Sequence, residues 1–113
     1  GTITVVTLDD DVFEGEETVT VALTSTSQGT LGTSSSGTGT ITDTSDAPVV
    51  TIGDATIAEG GSLSFTVSLT KASSTDITIP YTTSDGTATG GDYTDNDATL
   101  TITAGQTSGT ITV

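Results

Sequence analysis

Leu63-Ser64-Phe65-Thr66-Val67-Ser68-Leu69 is the stretch from which the fold can be read. Every second residue is apolar, and the residues between are Ser or Thr. In an extended strand successive side chains point to opposite faces, so this stretch has one apolar face and one hydroxyl face. Working outward, the same alternation returns in Ile77, Ile79 and Tyr81, in Leu100 and Ile102, and in Ile111 and Val113. The first half carries it in Ile3 and Val5, and again in Val19, Val21 and Leu23. Glu59-Gly60-Gly61, Asp85-Gly86, Gly90-Gly91-Asp92 and Ala104-Gly105-Gln106 punctuate these runs as turns. No segment has helical period. Strands with one buried and one wet face predict an all-β chain built as an antiparallel β-sandwich. The apolar side chains are few, so the core is thin, and a thin core calls for an added staple.

Composition narrows the chemistry. The 113 residues suit one small domain, and thirty threonines with fourteen glycines agree with strands and turns. Histidine, cysteine, methionine and tryptophan are all absent. Soft metal ligands and the commonest general base are therefore missing, while oxygen ligands for a hard cation such as Ca²⁺ abound. The net charge of −14, with one cation against fifteen carboxylates, argues against nucleic acid and anionic membrane as partners. No apolar run reaches the roughly 20 residues that span a bilayer as a helix. Carboxylate pairs occur without pocket-forming chemistry around them, so an enzyme is not expected. The cation-poor, Thr/Ser/Gly/Asp-rich composition is of the kind found in secreted or cell-surface proteins, and an extracellular location is expected.

The charge is concentrated. Asp9, Asp10, Asp11, Glu14, Glu16 and Glu17 fall within nine residues. Such a run either splays into water or surrounds a positive charge, and Lys71 is the only cation of the chain. Carboxylates on adjoining loops at one end of a sandwich can supply the 6–8 oxygens at ~2.3–2.6 Å that Ca²⁺ takes. Asp92, Asp95 and Asp97 read instead as a polar turn, because the glycine and terminal Glu of an EF-hand loop are missing. Asp54 and Asp76 read as acids at strand edges. Lys71 reads as a turn cation, and Phe13 and Tyr93 as plugs at the ends of the sandwich.

Gly1-Thr2-Ile3-Thr4-Val5 is repeated as Gly109-Thr110-Ile111-Thr112-Val113. The repeat predicts one period of a tandem array cut inside a strand.

The segment Val50 to Gly60 resembles the opening of a Calx-β domain. A Phe-Thr-Val strand, Phe65 to Val67, follows it. Thr83-Ser84-Asp85-Gly86-Thr87-Ala88 with Gly91-Asp92-Tyr93 matches that family's DGTA…GDY signature. The closing half of the pattern is the run Asp9 to Glu17 followed by Gly39-Thr40-Ile41-Thr42-Asp43. The halves stand in reverse order, which a cut through a tandem array explains. The resemblance implies a seven-strand, immunoglobulin-like antiparallel β-sandwich with Ca²⁺ at one end, held by Asp9, Asp10, Glu14, Glu17, Asp43, Glu59 and Asp85, with the backbone carbonyl of Val12. Asp11 is placed in the same set, although it could equally face solvent, where Glu16 is expected. The chain reads Asp43-Thr44-Ser45-Asp46 where exchanger domains have an acidic triplet, so one to three ions are expected. Asp46 is a further candidate at the domain boundary.

On this reading residues 1–46 are the C-terminal half of one repeat and 47–113 the N-terminal half of the next. The joint Thr44–Pro48 spans at most ~18 Å. Folding back along a whole sandwich would take roughly 35–40 Å of strand. Two half-domains, each completed by a neighbouring copy through tandem continuation or strand complementation, are therefore expected. The function expected is a calcium-rigidified structural repeat of an extracellular filament, adhesin or matrix protein. The alternatives are a calcium-dependent carbohydrate- or surface-binding module and a calcium sensor of the exchanger type.

Overall fold

The computed structural model describes residues 1–113 and contains strands, turns and no helix. Nine strands follow one another: β1 Val12–Phe13, β2 Glu17–Ala22, β3 Ser36–Ile41, β4 Val50–Ile52, β5 Ser64–Leu69, β6 Ala72–Ser73, β7 Ile77–Tyr81, β8 Ala98–Ile102 and β9 Ser108–Thr112. They pair as a three-stranded sheet of order β4-β5-β9 and three two-stranded sheets, β7-β8, β2-β3 and β1-β6. All pairs are antiparallel except β1-β6.

The core belongs to residues 63–113. The alternation of β5 buries Val67 and Leu69, which meet Ile111 of β9 and Ile102 of β8. Phe65, Ile77, Ile79, Tyr81, Leu100 and Val113 surround that cluster. The two sheets thus share one apolar layer, as the face-to-face packing of a sandwich requires. Register explains the choice: Phe65 stands opposite Ile111 and Val67 opposite Gly109. A Cβ on Gly109 would lie 3.1 Å from Leu100 Cδ1 and 3.2 Å from Ile102 Cγ1, so β8 packs closely over the strand at this glycine.

The first 46 residues are built differently. β2 and β3 form a six-pair hairpin, from Glu17 opposite Ile41 to Ala22 opposite Ser36. Val19, Val21 and Ile41 are only half-buried, and Leu23 is exposed. Ile3 and Val5, expected to lie in a strand, belong to no ladder. A strand needs a hydrogen-bonding neighbour, and residues 1–11 have none. They run beside the hairpin across an open cavity of about 610 Å³ lined by Ile3, Val5, Val19, Val21 and Leu23.

The chain is long and thin, 82 × 24 × 18 Å, with a radius of gyration of 24.0 Å. A compact domain of this length has a radius near 13 Å. Between the two segments run the short parallel pairing of Val12 with Ala72 and Phe13 with Ser73, and a 2.9 Å hydrogen bond from the Ser74 N–H to the Phe13 carbonyl.

Candidate metal centre

Two acidic poles emerge from this topology. The first lies at the junction of the segments. Gly15 has a φ of 81°, a left-handed conformation that turns the chain from the acidic run into β2. The turn sets Glu14 beside the end of β3, where Asp43 Oδ2 accepts the Glu14 N–H at 2.7 Å. Asp10 Oδ1 accepts the Val12 N–H at 2.9 Å, which fixes the run just before β1. A cavity of about 200 Å³ results, lined by the acids Asp9, Asp10, Glu14, Glu17, Asp43 and Asp46.

The charges of this pole are not equally answered. Lys71, just after β5, forms ion pairs with Asp11 and, at 3.2 Å, with Asp46. Asp46 is 6 % exposed, the one carboxylate buried in the chain. The bond from Lys71 holds the Asp11 carboxyl below its ordinary value, and the bonds to Asp11 and Asp46 raise the lysine. Asp9, Asp10, Glu14, Glu17 and Asp43 have no cation. Glu14 shows the consequence: its carboxyl is raised, first by Glu17, then by Asp10, with burial and Asp43 adding to it. Like charges in one cavity disfavour each other's ionised forms, and a bound cation would reverse that effect.

The second pole is at the other end of the core. β5 runs from Ser64 at this pole to Leu69 near Lys71, and Glu59 sits in the turn before Ser64. Gly60, with a φ of 83°, and the 3.2 Å bond from the Gly61 N–H to the Ala58 carbonyl close that turn. Asp85 follows β7 at the same end and accepts the Tyr93 hydroxyl through Oδ1 at 2.8 Å. That bond, with burial and the nearby charge, pushes the Tyr93 phenol up to about 12. Beside it opens a cavity of about 510 Å³, lined by Ile52, Leu63, Phe65, Tyr81, Tyr93 and Val113 among others.

The expected ligands therefore fall in two groups. Asp9, Asp10, Glu14, Glu17 and Asp43 gather at the junction. Glu59 and Asp85 lie at the opposite pole. Val12 is in β1 opposite Ala72, and Asp11 is turned to Lys71. Glu16 is exposed. No group of three or more carboxylates stands close enough to hold an ion within the chain itself. Two acids of the 92–97 loop hold nearby backbone: Asp92 accepts the Thr89 N–H at 2.9 Å, and Asp97 accepts the Thr83 N–H at 2.9 Å. Sequence reasoning missed the Lys71 clamp on Asp46. The burial of Asp46, which calls for that cation, is not visible in the sequence.

Comparison with known proteins yields one family. The model described as Calx-beta domain matches residues 1–45 and, separately, residues 43–113. No curated protein and no solved structure matches the chain.

Proposed function

The chain belongs to the Calx-beta domain family, whose members are calcium-binding β-sandwich modules with structural and binding rather than catalytic roles, and from that premise we propose that it is a calcium-rigidified structural repeat. Its place is an extracellular filament, adhesin or matrix protein, and its partners are other copies of the same unit joined head to tail. The observation that carries this reading is the junction cavity. Five carboxylates without a cation share it, and Glu14 is raised by their crowding. A hard divalent cation is what such a set of oxygens suits.

Asp9, Asp10, Glu14, Glu17 and Asp43 hold one to three Ca²⁺ together with Glu59 and Asp85 of an adjoining unit. Asp11 joins them when Lys71 releases it, and the Val12 carbonyl completes the set. The ion replaces repulsion with attraction at the end of each unit and stiffens the joint. A second reading, a calcium-dependent carbohydrate- or surface-binding module, draws on the aromatic lining of the large distal cavity, Phe65, Tyr81 and Tyr93.

Isothermal titration with Ca²⁺ tests the first reading. Saturable binding at or below the ~10⁻⁴–10⁻³ M range of extracellular modules is expected. Asp43→Asn and Glu59→Gln each weaken it. An absence of binding up to millimolar Ca²⁺ excludes it. A glycan screen with and without Ca²⁺ decides for or against the second.

A further inference from the structure

We infer that Gly1–Val5 of a second copy of this chain is a donor strand for β5, taking the place that Gly109–Val113 holds in the chain described here. This deepens the proposed function and rests on its head-to-tail partner, while its own support is geometric. The same five residues occur in two settings. At 109–113 they are paired with β5: Ile111 stands opposite Phe65, Thr110 opposite Thr66 and Gly109 opposite Val67. Val113 and Leu63 exchange both backbone hydrogen bonds, at 2.8 and 2.9 Å. At 1–5 they belong to no ladder, and Ile3 is 65 % exposed.

Glycine distinguishes the settings. Position 109 is tightly packed, because an added Cβ would press on Leu100 and Ile102 at 3.1–3.2 Å. At position 1 a Cβ would meet nothing within 4 Å. The glycine at position 1 fits the tightly packed position that Gly109 holds beside β8. Ile3 likewise has the shape that the Ile111 position buries.

Direction then places the rest of the donor. β9 runs antiparallel to β5, so its last residues lie beside Ser64 and Leu63, at the pole of Glu59 and Asp85. A donor entering in that register leaves at that pole after Val5. Asp9 follows Val5 by four residues, a reach of about 14 Å. The donor's acidic run is thereby delivered to the end of the acceptor that carries Glu59 and Asp85. Its β2-β3 hairpin, with half-buried Val19, Val21 and Ile41, comes within reach of the open cavity lined by Leu63, Phe65 and Tyr81. Exchange of five identical residues is neutral in the β5 pairing itself. The drive comes from covering these two apolar faces and, in the calcium reading, from the ion at the shared pole. Each copy donates at one site and accepts at another, so the contact is heterologous and passes from copy to copy.

Cross-linking tests the register. Leu63 and Val113 form a hydrogen-bonded pair, so Thr66 and Thr110 form a non-hydrogen-bonded pair, the kind with the closer side chains. A donor's Thr2 would occupy the Thr110 position. The chain has no cysteine of its own. The full chain carrying Thr2→Cys and Thr66→Cys, oxidised at high concentration, is expected to give an intermolecular ladder on a non-reducing gel. Peptide maps should then show position 2 of one copy joined to position 66 of another. The register control Thr2→Cys with Ser64→Cys gives far less. Thr66→Cys with Thr110→Cys locks the chain's own strand in place and yields monomer only. Only monomer from the Thr2/Thr66 pair, a disulfide within one chain, or equal yield from the control overturns the proposal. Running the oxidation in Ca²⁺ and in EDTA separates it from the calcium reading. A ladder in both, with no calcium effect on melting, keeps strand donation and removes calcium. No ladder, with melting raised by calcium, does the reverse.

Discussion

Residues 47–113 and residues 1–46 use the same alphabet of Thr, Ser, Gly and β-branched side chains, and they reach opposite degrees of burial. Ile111 is 5 % exposed in the first of these segments, and Ile3 is 65 % exposed in the second. Each is the third residue of Gly-Thr-Ile-Thr-Val. What differs is the neighbour. Ile111 has β5 on one side and β8 above it, while Ile3 has an open cavity. Alternation determines which face of a strand is apolar, and a partner determines whether that face becomes a core.

The largest effect is expected where that difference is greatest. Ile102→Ala removes a fully buried side chain and is expected to cost about 2–5 kcal/mol, measured by urea unfolding of the dilute chain. Ile3→Ala in the same dilute sample should stay within about 0.5 kcal/mol. Equal losses would mean that the two segments share one core. A sharper contrast uses glycine. Gly109→Ala forces a methyl against Leu100 and Ile102 and is expected to cost about 1–3 kcal/mol. Gly1→Ala should leave the stability of the dilute chain unchanged and reduce only association between copies, read by light scattering.

The two acidic poles extend the comparison. Lys71→Met leaves the buried Asp46 without its cation and is expected to lower the melting temperature more than Asp11→Asn, because Asp11 can return to water. The smallest effect is a pH dependence in EDTA. Glu14 is raised in the folded chain, so its favourable contribution is complete below the ordinary carboxylate value and is lost as pH rises through the raised one. Asp11 is lowered, so its contribution is present above the ordinary value and is lost as pH falls through the lowered one. Glu14→Gln should therefore raise the melting temperature at neutral pH in EDTA and lose that advantage on acidification. In Ca²⁺ the same substitution should be harmful.

Much of the fold could be read before any coordinates. The period of Leu63 to Leu69 yields β5 and two of its buried residues, and the apolar alternation of Leu100 and Ile102 yields β8. The acidic run was legible because charge of one sign cannot be packed without an answer, and Asp43 through the resemblance to the Calx-β pattern. Ile3 and Val5 mark the limit: their pattern is that of a strand, and no local pattern reports whether a neighbour is present. The Lys71–Asp46 pair was hidden for a related reason. It joins residues far apart in sequence, and nothing near Asp46 marks it as the acid that becomes buried. The Tyr93–Asp85 bond also depends on a loop closing back, although both residues were marked by the motif that contains them.

Thermal melting of the 113-residue chain at high concentration, first in Ca²⁺ and then in excess EDTA, tests the central claim most directly. At free Ca²⁺ about a hundredfold above Kd, one site adds roughly 2.7 kcal/mol, which corresponds to a rise of about 10 °C. That rise, its reversal by EDTA, and its loss in Asp43→Asn and Glu59→Gln are expected. An identical melting temperature in Ca²⁺ and in EDTA would contradict it.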